Sequence, residues 1–209
     1  MTLTITHACL IPITRSSISN VAIRSAESDG WKVYYLEDLK KEGPNIIRER
    51  LLDIALKDNV DYIRYLDDDD ILLPHKDQIQ FNDNDCIYMR HITFDIHRNT
   101  YELAEYSGDP LKDAYNIPPW GWVATASALS KIRQRLGYVW NPNQVCCREG
   151  GWCWLNFLKS NIKIQYQPIE HYQFSQYEDS KRLSQNPYRI IYCNQLKSEL
   201  KRYENSLYK

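Results

Sequence analysis

Apolar residues along the first seventy positions alternate between two rhythms. Residues 3–11 are rich in β-branched and apolar side chains and stop at Pro12, which predicts a strand. Ser16 or Ser17 can cap a helix running to Ser28, and Asp29-Gly30 is a turn signal. Residues 31–36 read as a second strand, and residues 40–44 are a polar break. Ile46, Ile47, Leu51, Ile54 and Ala55 then recur at helical spacing through Lys57. Residues 60–66 form a third apolar run, and four aspartates follow it. Strand, helix, strand, helix, strand is the pattern of a parallel sheet with helices on its faces. Right-handed crossovers bring the three strand ends to one edge, where ligands bind in open α/β sheets.

Beyond Pro74 the rhythm is less regular. Residues 85–96 and 101–105 predict a hairpin turning at Arg98-Asn99. Residues 107–110 and 116–122 read as loops, which would leave Trp120 and Trp122 exposed enough to stack on a sugar ring. A helix is expected over 124–136, with Gly137 as its stop, and another over 149–160. Trp152 and Trp154 lie two apart on that helix, so at least one belongs to the core. Residues 162–166 alternate like a strand, and 188–203 form an amphipathic closing helix. There is no internal repeat and no low-complexity tract.

The 209 residues suit one domain, with 1–74 as a nucleotide-binding half, 75–180 as an acceptor and catalytic half, and 181–209 as a C-terminal helix. Hydrophobic residues make up 43% and charged residues 25%, the balance of a globular chain. Lys+Arg 26 against Asp+Glu 27 leaves no basic footprint for nucleic acid or an anionic membrane. No apolar run approaches the about 18 residues of a membrane span, and no signal peptide is evident. The six cysteines show no CxxC or Cys/His zinc spacing and are read as reduced thiols, which places the chain in a cytoplasm. The sixteen Tyr and six Trp suit base and sugar stacking, though most must serve packing.

Asp67 to Asp70 are the chemical anomaly of the sequence. Four adjacent carboxylates repel one another unless water or a cation neutralises them. An EF-hand loop is excluded, because counting from Asp67 its required Gly and Glu positions hold Leu72 and Gln78. The alternatives are a Mg²⁺ or Mn²⁺ site shared with a diphosphate, an aspartyl-nucleophile phosphatase turn built on Asp67 and Asp69, and a solvated acidic turn capping a helix near Pro74. No GxGxxG is present, so any nucleotide is held without a glycine-rich phosphate turn.

Taken in order, Ile11-Pro-Ile-Thr-Arg15, Leu36-Glu-Asp38, Ile47-Arg-Glu-Arg-Leu-Leu-Asp-Ile-Ala55 and Tyr65-Leu-Asp-Asp-Asp-Asp-Ile-Leu-Leu-Pro74 resemble the nucleotide-binding half of a GT-A glycosyltransferase, above all the inverting family-2 enzymes. The resemblance covers residues 1 to about 175 at falling strength. It includes small stand-alone or N-terminal domains of this kind encoded by large algal viruses, for which the compartment would be the host cytoplasm. It implies an α/β GT-A fold, half-Rossmann-like, with a mixed and mostly parallel sheet flanked by helices. It implies transfer of a sugar from a nucleotide-diphosphate sugar, a UDP-sugar above all, to a hydroxyl of a glycan or glycoprotein acceptor, with inversion and with Mn²⁺ or Mg²⁺ as cofactor.

Residue by residue, the resemblance places Thr14 and Arg15 at the donor and Asp38 on uracil. Asp67 and Asp69 would hold ribose and metal, Asp69 most firmly, with Asp68 sharing either role. Arg48 would lie near the nucleotide, although Glu49 stands where the family has Asn. His171 would be a late metal ligand. Glu149, in Arg148-Glu-Gly-Gly-Trp-Cys-Trp154, would be the catalytic base that deprotonates the acceptor, although Gly150 stands where the family has Asp. A binding module without turnover is the non-enzymatic alternative.

Overall fold

A computed structural model describes residues 5–14, 19–95, 99–118, 121–143, 149–176 and 189–208. Its first half follows the apolar rhythm. Strand β1 (His7–Ile13), helix α1 (Ser19–Ser28), strand β2 (Lys32–Glu37), helix α2 (Pro44–Lys57) and strand β3 (Tyr62–Tyr65) alternate as expected. Strand β1 starts and ends later than the reading of residues 3–11 because Pro12 does not stop it. Pro12 stays in register opposite Leu36 of β2. Both β2 and β3 pair with β1 in parallel, so their carboxyl ends share one edge.

Helix α2 opens with Pro44 in its first turn, where a missing N–H costs nothing. Gly43 before it has φ +100, a conformation that strains any side chain. The Asp38 carboxylate accepts from the N–H groups of Glu42 and Gly43, both at 2.8 Å, and shapes this entry.

After β3 come the short strand β4 (Ile71–Leu72), a 3₁₀ turn (Lys76–Gln78), and the hairpin of β5 (Cys86–Asp95) and β6 (Thr100–Ala104). One helical turn, α3 (Pro110–Asp113), follows directly on the loop expected over 107–110, capped by Asp109. Strand β7 (Trp122–Thr125) and helix α4 (Ala126–Leu136) follow without a gap. Thr125 is the last strand residue and also the helix N-cap, its hydroxyl accepting from Ala128 N–H at 3.1 Å. Gly137 ends α4 in the left-handed conformation, as its sequence position predicts. Helix α5 (Glu149–Lys159), strand β8 (Ile164–Gln176) and helix α6 (Arg189–Ser206) complete the chain.

The mixed sheet has eight strands in the order β2-β1-β3-β7-β5-β8-β4, with β6 beside β5. Strand β7 is the antiparallel link between the parallel first half and the rest, pairing with both β3 and β5. Two expectations are corrected here. Trp122 is not an exposed loop residue but a fully buried core residue of β7, edge-on to Tyr65 and Phe157. Among the described residues no α-helix begins near Pro74, so the aspartates do not cap one. Trp154 is buried, its ring edge-on to Tyr88 and its Nε1 donating to Pro110 O at 2.8 Å. Cys9, Cys86, Cys153 and Cys193 are free thiols, while Cys146 and Cys147 lie outside the described residues. Among the described residues no helix is long and apolar enough to cross a membrane.

Candidate active site

The acidic turn leaves the end of β3 under tight backbone control. Leu66 N–H still donates to Leu10 O of β1, and Asp70 N–H closes back on Asp67 O at 3.2 Å. The turn is not solvated: Asp68, Asp69 and Asp70 are 2%, 8% and 0% exposed. Burial at that level excludes the reading as a plain surface turn, because a charge out of water needs a partner.

The four carboxylates divide their work. Oxygens of Asp67, Asp69 and Asp70 all lie within 4.8 Å of one another. Asp68 turns instead to the end of β1, where its Oδ2 accepts from Thr14 N–H at 2.6 Å and from the Thr14 hydroxyl at 3.0 Å. Thr14 and Asp68, both expected at the donor, are thus joined to each other. Asp67 is pushed up to about 7 by burial and by the Asp69 and Asp68 charges, against the pull of Arg48. A cation at the turn would offset this mutual repulsion of the carboxylates. Three converging hard oxygens are the donor set that Mg²⁺ and Mn²⁺ prefer, so the residues fit such an ion.

Arg48 of α2 is 1% exposed and points at this turn. Its Nη2 donates to Asp67 Oδ1 at 3.0 Å, and its Nη1 donates to Glu149 Oε2 at 2.7 Å. Asn45 Oδ1 accepts from Nη1 at 2.9 Å, and the Trp140 ring lies 4.6 Å beneath the guanidinium carbon. Burial opposes the Arg48 charge, but the Asp67 and Glu149 carboxylates more than offset it and raise its pKa. Glu149, in the first turn of α5, has a 17% exposed side chain. Its Oε1 has no hydrogen bond among the described residues.

The structure thus gathers Thr14, Arg48, Asp67, Asp68, Asp69 and Glu149 at one edge of the sheet, and adds Asp70 to the acidic triad. Asp38 stands at the end of β2 with its carboxylate on Glu42 and Gly43. Arg15 lies outside the described residues, as does Trp120. His171 lies on β8, and its side chain is outside the described set. Two organising residues escaped sequence reasoning, Asn45 and Trp140, and Asp70 was singled out there without a role. Four adjacent acids exceed any capping need, but sequence does not say which of them converge. Asn45 and Trp140 carried no signal, because their partner is an arginine whose orientation periodicity does not reveal.

Sheet order, helical layers and the acidic turn after the third strand make this a GT-A fold. No protein-family model matches the sequence, and no curated protein does. Among solved structures, a fragment of S. aureus TarS in complex with UDP-GlcNAc superposes with a TM-score of 0.65 at 14% identity, over 83% of this chain and 59% of that one. GalNAc-T7 with UDP, GalNAc and Mn²⁺ gives 0.56 at 12% identity, over 82% of this chain and 43% of that one. A197 from STIV gives 0.54 at 15% identity, over 78% and 82%. This chain therefore spans less than two thirds of that TarS fragment and of GalNAc-T7. The likeness is one of fold.

Proposed function

We propose that this chain is an inverting glycosyltransferase that moves a sugar from a nucleotide-diphosphate donor, a UDP-sugar above all, to a hydroxyl of a glycan acceptor. The observation that carries the reading is the Arg48 fork. It holds an acidic triad suited to a divalent cation and a partly open glutamate on adjacent nitrogens of one guanidinium. Such a site contains both charges that this reaction requires. The fold supports the same reading, since TarS and GalNAc-T7 share it in complexes with UDP-GlcNAc and with UDP.

Asp67, Asp69 and Asp70 would hold Mn²⁺ or Mg²⁺, which offsets the charge of a departing diphosphate. Thr14 and Asp68 fix the end of β1 against the acidic turn, so the donor meets a preset edge. Glu149 offers its Oε1, without a hydrogen bond among the described residues, to the acceptor hydroxyl while Arg48 fixes its other oxygen. The acceptor oxygen attacks the anomeric carbon, the carbon–oxygen bond to the diphosphate breaks, and the hydroxyl proton passes to Glu149.

Asp69→Asn is expected to abolish Mn²⁺-dependent UDP binding in a calorimetric titration. Unchanged Mn²⁺-dependent affinity would remove the acidic turn from the site. At saturating Mn²⁺, Glu149→Gln is expected to keep UDP binding while transfer falls about 10²–10⁴-fold, the usual worth of a general base. Turnover retained by that variant, with any sugar donor the wild type uses, would remove Glu149 as the base.

A further inference from the structure

We infer that Arg48 is a positioning residue that couples the cation site to the base, so that occupancy of the acidic triad and the setting of Glu149 depend on one another. This rests on the reading of the site as a glycosyltransferase centre. Asp67 belongs to the triad and is also bonded to Arg48 Nη2 through its Oδ1. A cation drawing on Asp67 therefore competes with the guanidinium for the same carboxylate. Glu149 is the second carboxylate on that guanidinium, through Nη1.

The plane of the guanidinium is not free to adjust. Asn45 Oδ1 engages Nη1, and Trp140 lies against the face. A planar fork with fixed angles cannot loosen one arm without disturbing the other, unlike a lysine ammonium on a flexible stem. Arg48 is 1% exposed, so solvent does not step in as a substitute partner. With Gln in place of Glu149, Asp67 faces more of the Arg48 charge, and a cation must work harder to claim it. By linkage, the cation changes the hold on Glu149 by the same factor.

The experiment measures Mn²⁺ affinity by calorimetry in the presence of saturating UDP, with circular dichroism to establish folding of each variant. Coupled sites commonly differ about 5–150-fold in affinity. Glu149→Gln is expected to weaken Mn²⁺ at least about five-fold by this measure. In an Arg48→Lys background, where the charge remains but the fork is lost, the same substitution is expected to change Mn²⁺ affinity less than about two-fold. An equal loss in both backgrounds would mean that Glu149 acts only through its distant field, and would overturn the coupling. So would no loss in either.

Should Arg48→Lys not fold, the ratio between wild type and Glu149→Gln at low and at about 1 M salt decides the matter, because salt screens a field between exposed charges far more than a buried fork. A ratio unchanged by salt upholds the coupling, and a ratio that collapses overturns it. A wild type that binds Mn²⁺ with no coupling overturns only this inference. A wild type that binds neither Mn²⁺ nor UDP overturns the functional reading and the coupling together.

Discussion

At position 49, one carboxylate replaces what would otherwise be a set of loop contacts. Glu49 Oε1 accepts from Val139 N–H at 2.8 Å and from Trp140 N–H at 2.7 Å, while Arg133 Nε lies 3.4 Å from Oε2. The residue that departs from the family pattern thus fixes Trp140, the ring that packs beneath Arg48. Neighbouring positions of α2 hold different partners. Asn45 Nδ2 donates to Asn141 O at 3.0 Å, Arg48 takes Glu149, and Glu49 takes residues 139 and 140. Glu49→Ala would leave two backbone donors without their acceptor, and each such loss costs about 1–3 kcal/mol. The expected destabilisation is about 3 kcal/mol in urea unfolding, with Glu49→Gln costing less because it keeps an acceptor. A loss below about 0.5 kcal/mol for the alanine variant would show that the loop is held by other contacts.

Among elements, β7 decides the architecture, and Trp122 is its test. Four residues join the parallel half to the mixed remainder, and Trp122 is buried between Tyr65 and Phe157. Trp122→Ala is expected to cost about 3–5 kcal/mol of stability. An exposed sugar platform would lose almost none, so the unfolding curve separates the two placements. The elements of residues 1–66 were legible because each apolar run there is bounded by a turn signal or a polar break. Strand β7 was not, since Thr125 ends the strand and caps α4 in one step, leaving no polar gap to announce a change of period.

Strand β8 was legible only to Tyr166 because Pro168 reads as a stop. The structure continues through it by a register shift, with Met89 opposite Gln167 and Arg90 opposite Glu170. The acidic turn and Glu149 were legible as separate motifs. Their union through Arg48, across 101 residues of chain, is a tertiary fact that no local pattern carries.

Over the whole molecule, proton uptake on unfolding follows from which groups the fold buries. His75 is held down at about 3 and His91 at about 4, both by burial, and Arg64 adds to the effect on His75. An unfolded histidine titrates near 6.5, so between these values the unfolded chain binds the protons. The stability from these two groups is present above about pH 6.5 and is lost as pH falls toward 4. Asp67, raised to about 7 by burial, and Glu49, raised by burial, work in the opposite sense. Each binds a proton more readily in the folded state than in the unfolded chain, so each weakens the fold as pH rises past the ordinary carboxylate range. The net curve is therefore flatter than either set alone would make it, and a single substitution resolves them. His91→Gln removes one of the depressed histidines, whose Nδ1 lies 3.0 Å from the Tyr106 hydroxyl. Wild type should lose ground to this variant by about 2 kcal/mol as pH falls from about 6.5 to 4.5, after allowance for partial exposure. Urea midpoints at stepped pH measure the gap, and parallel curves for the two proteins would show that His91 titrates as an ordinary surface histidine.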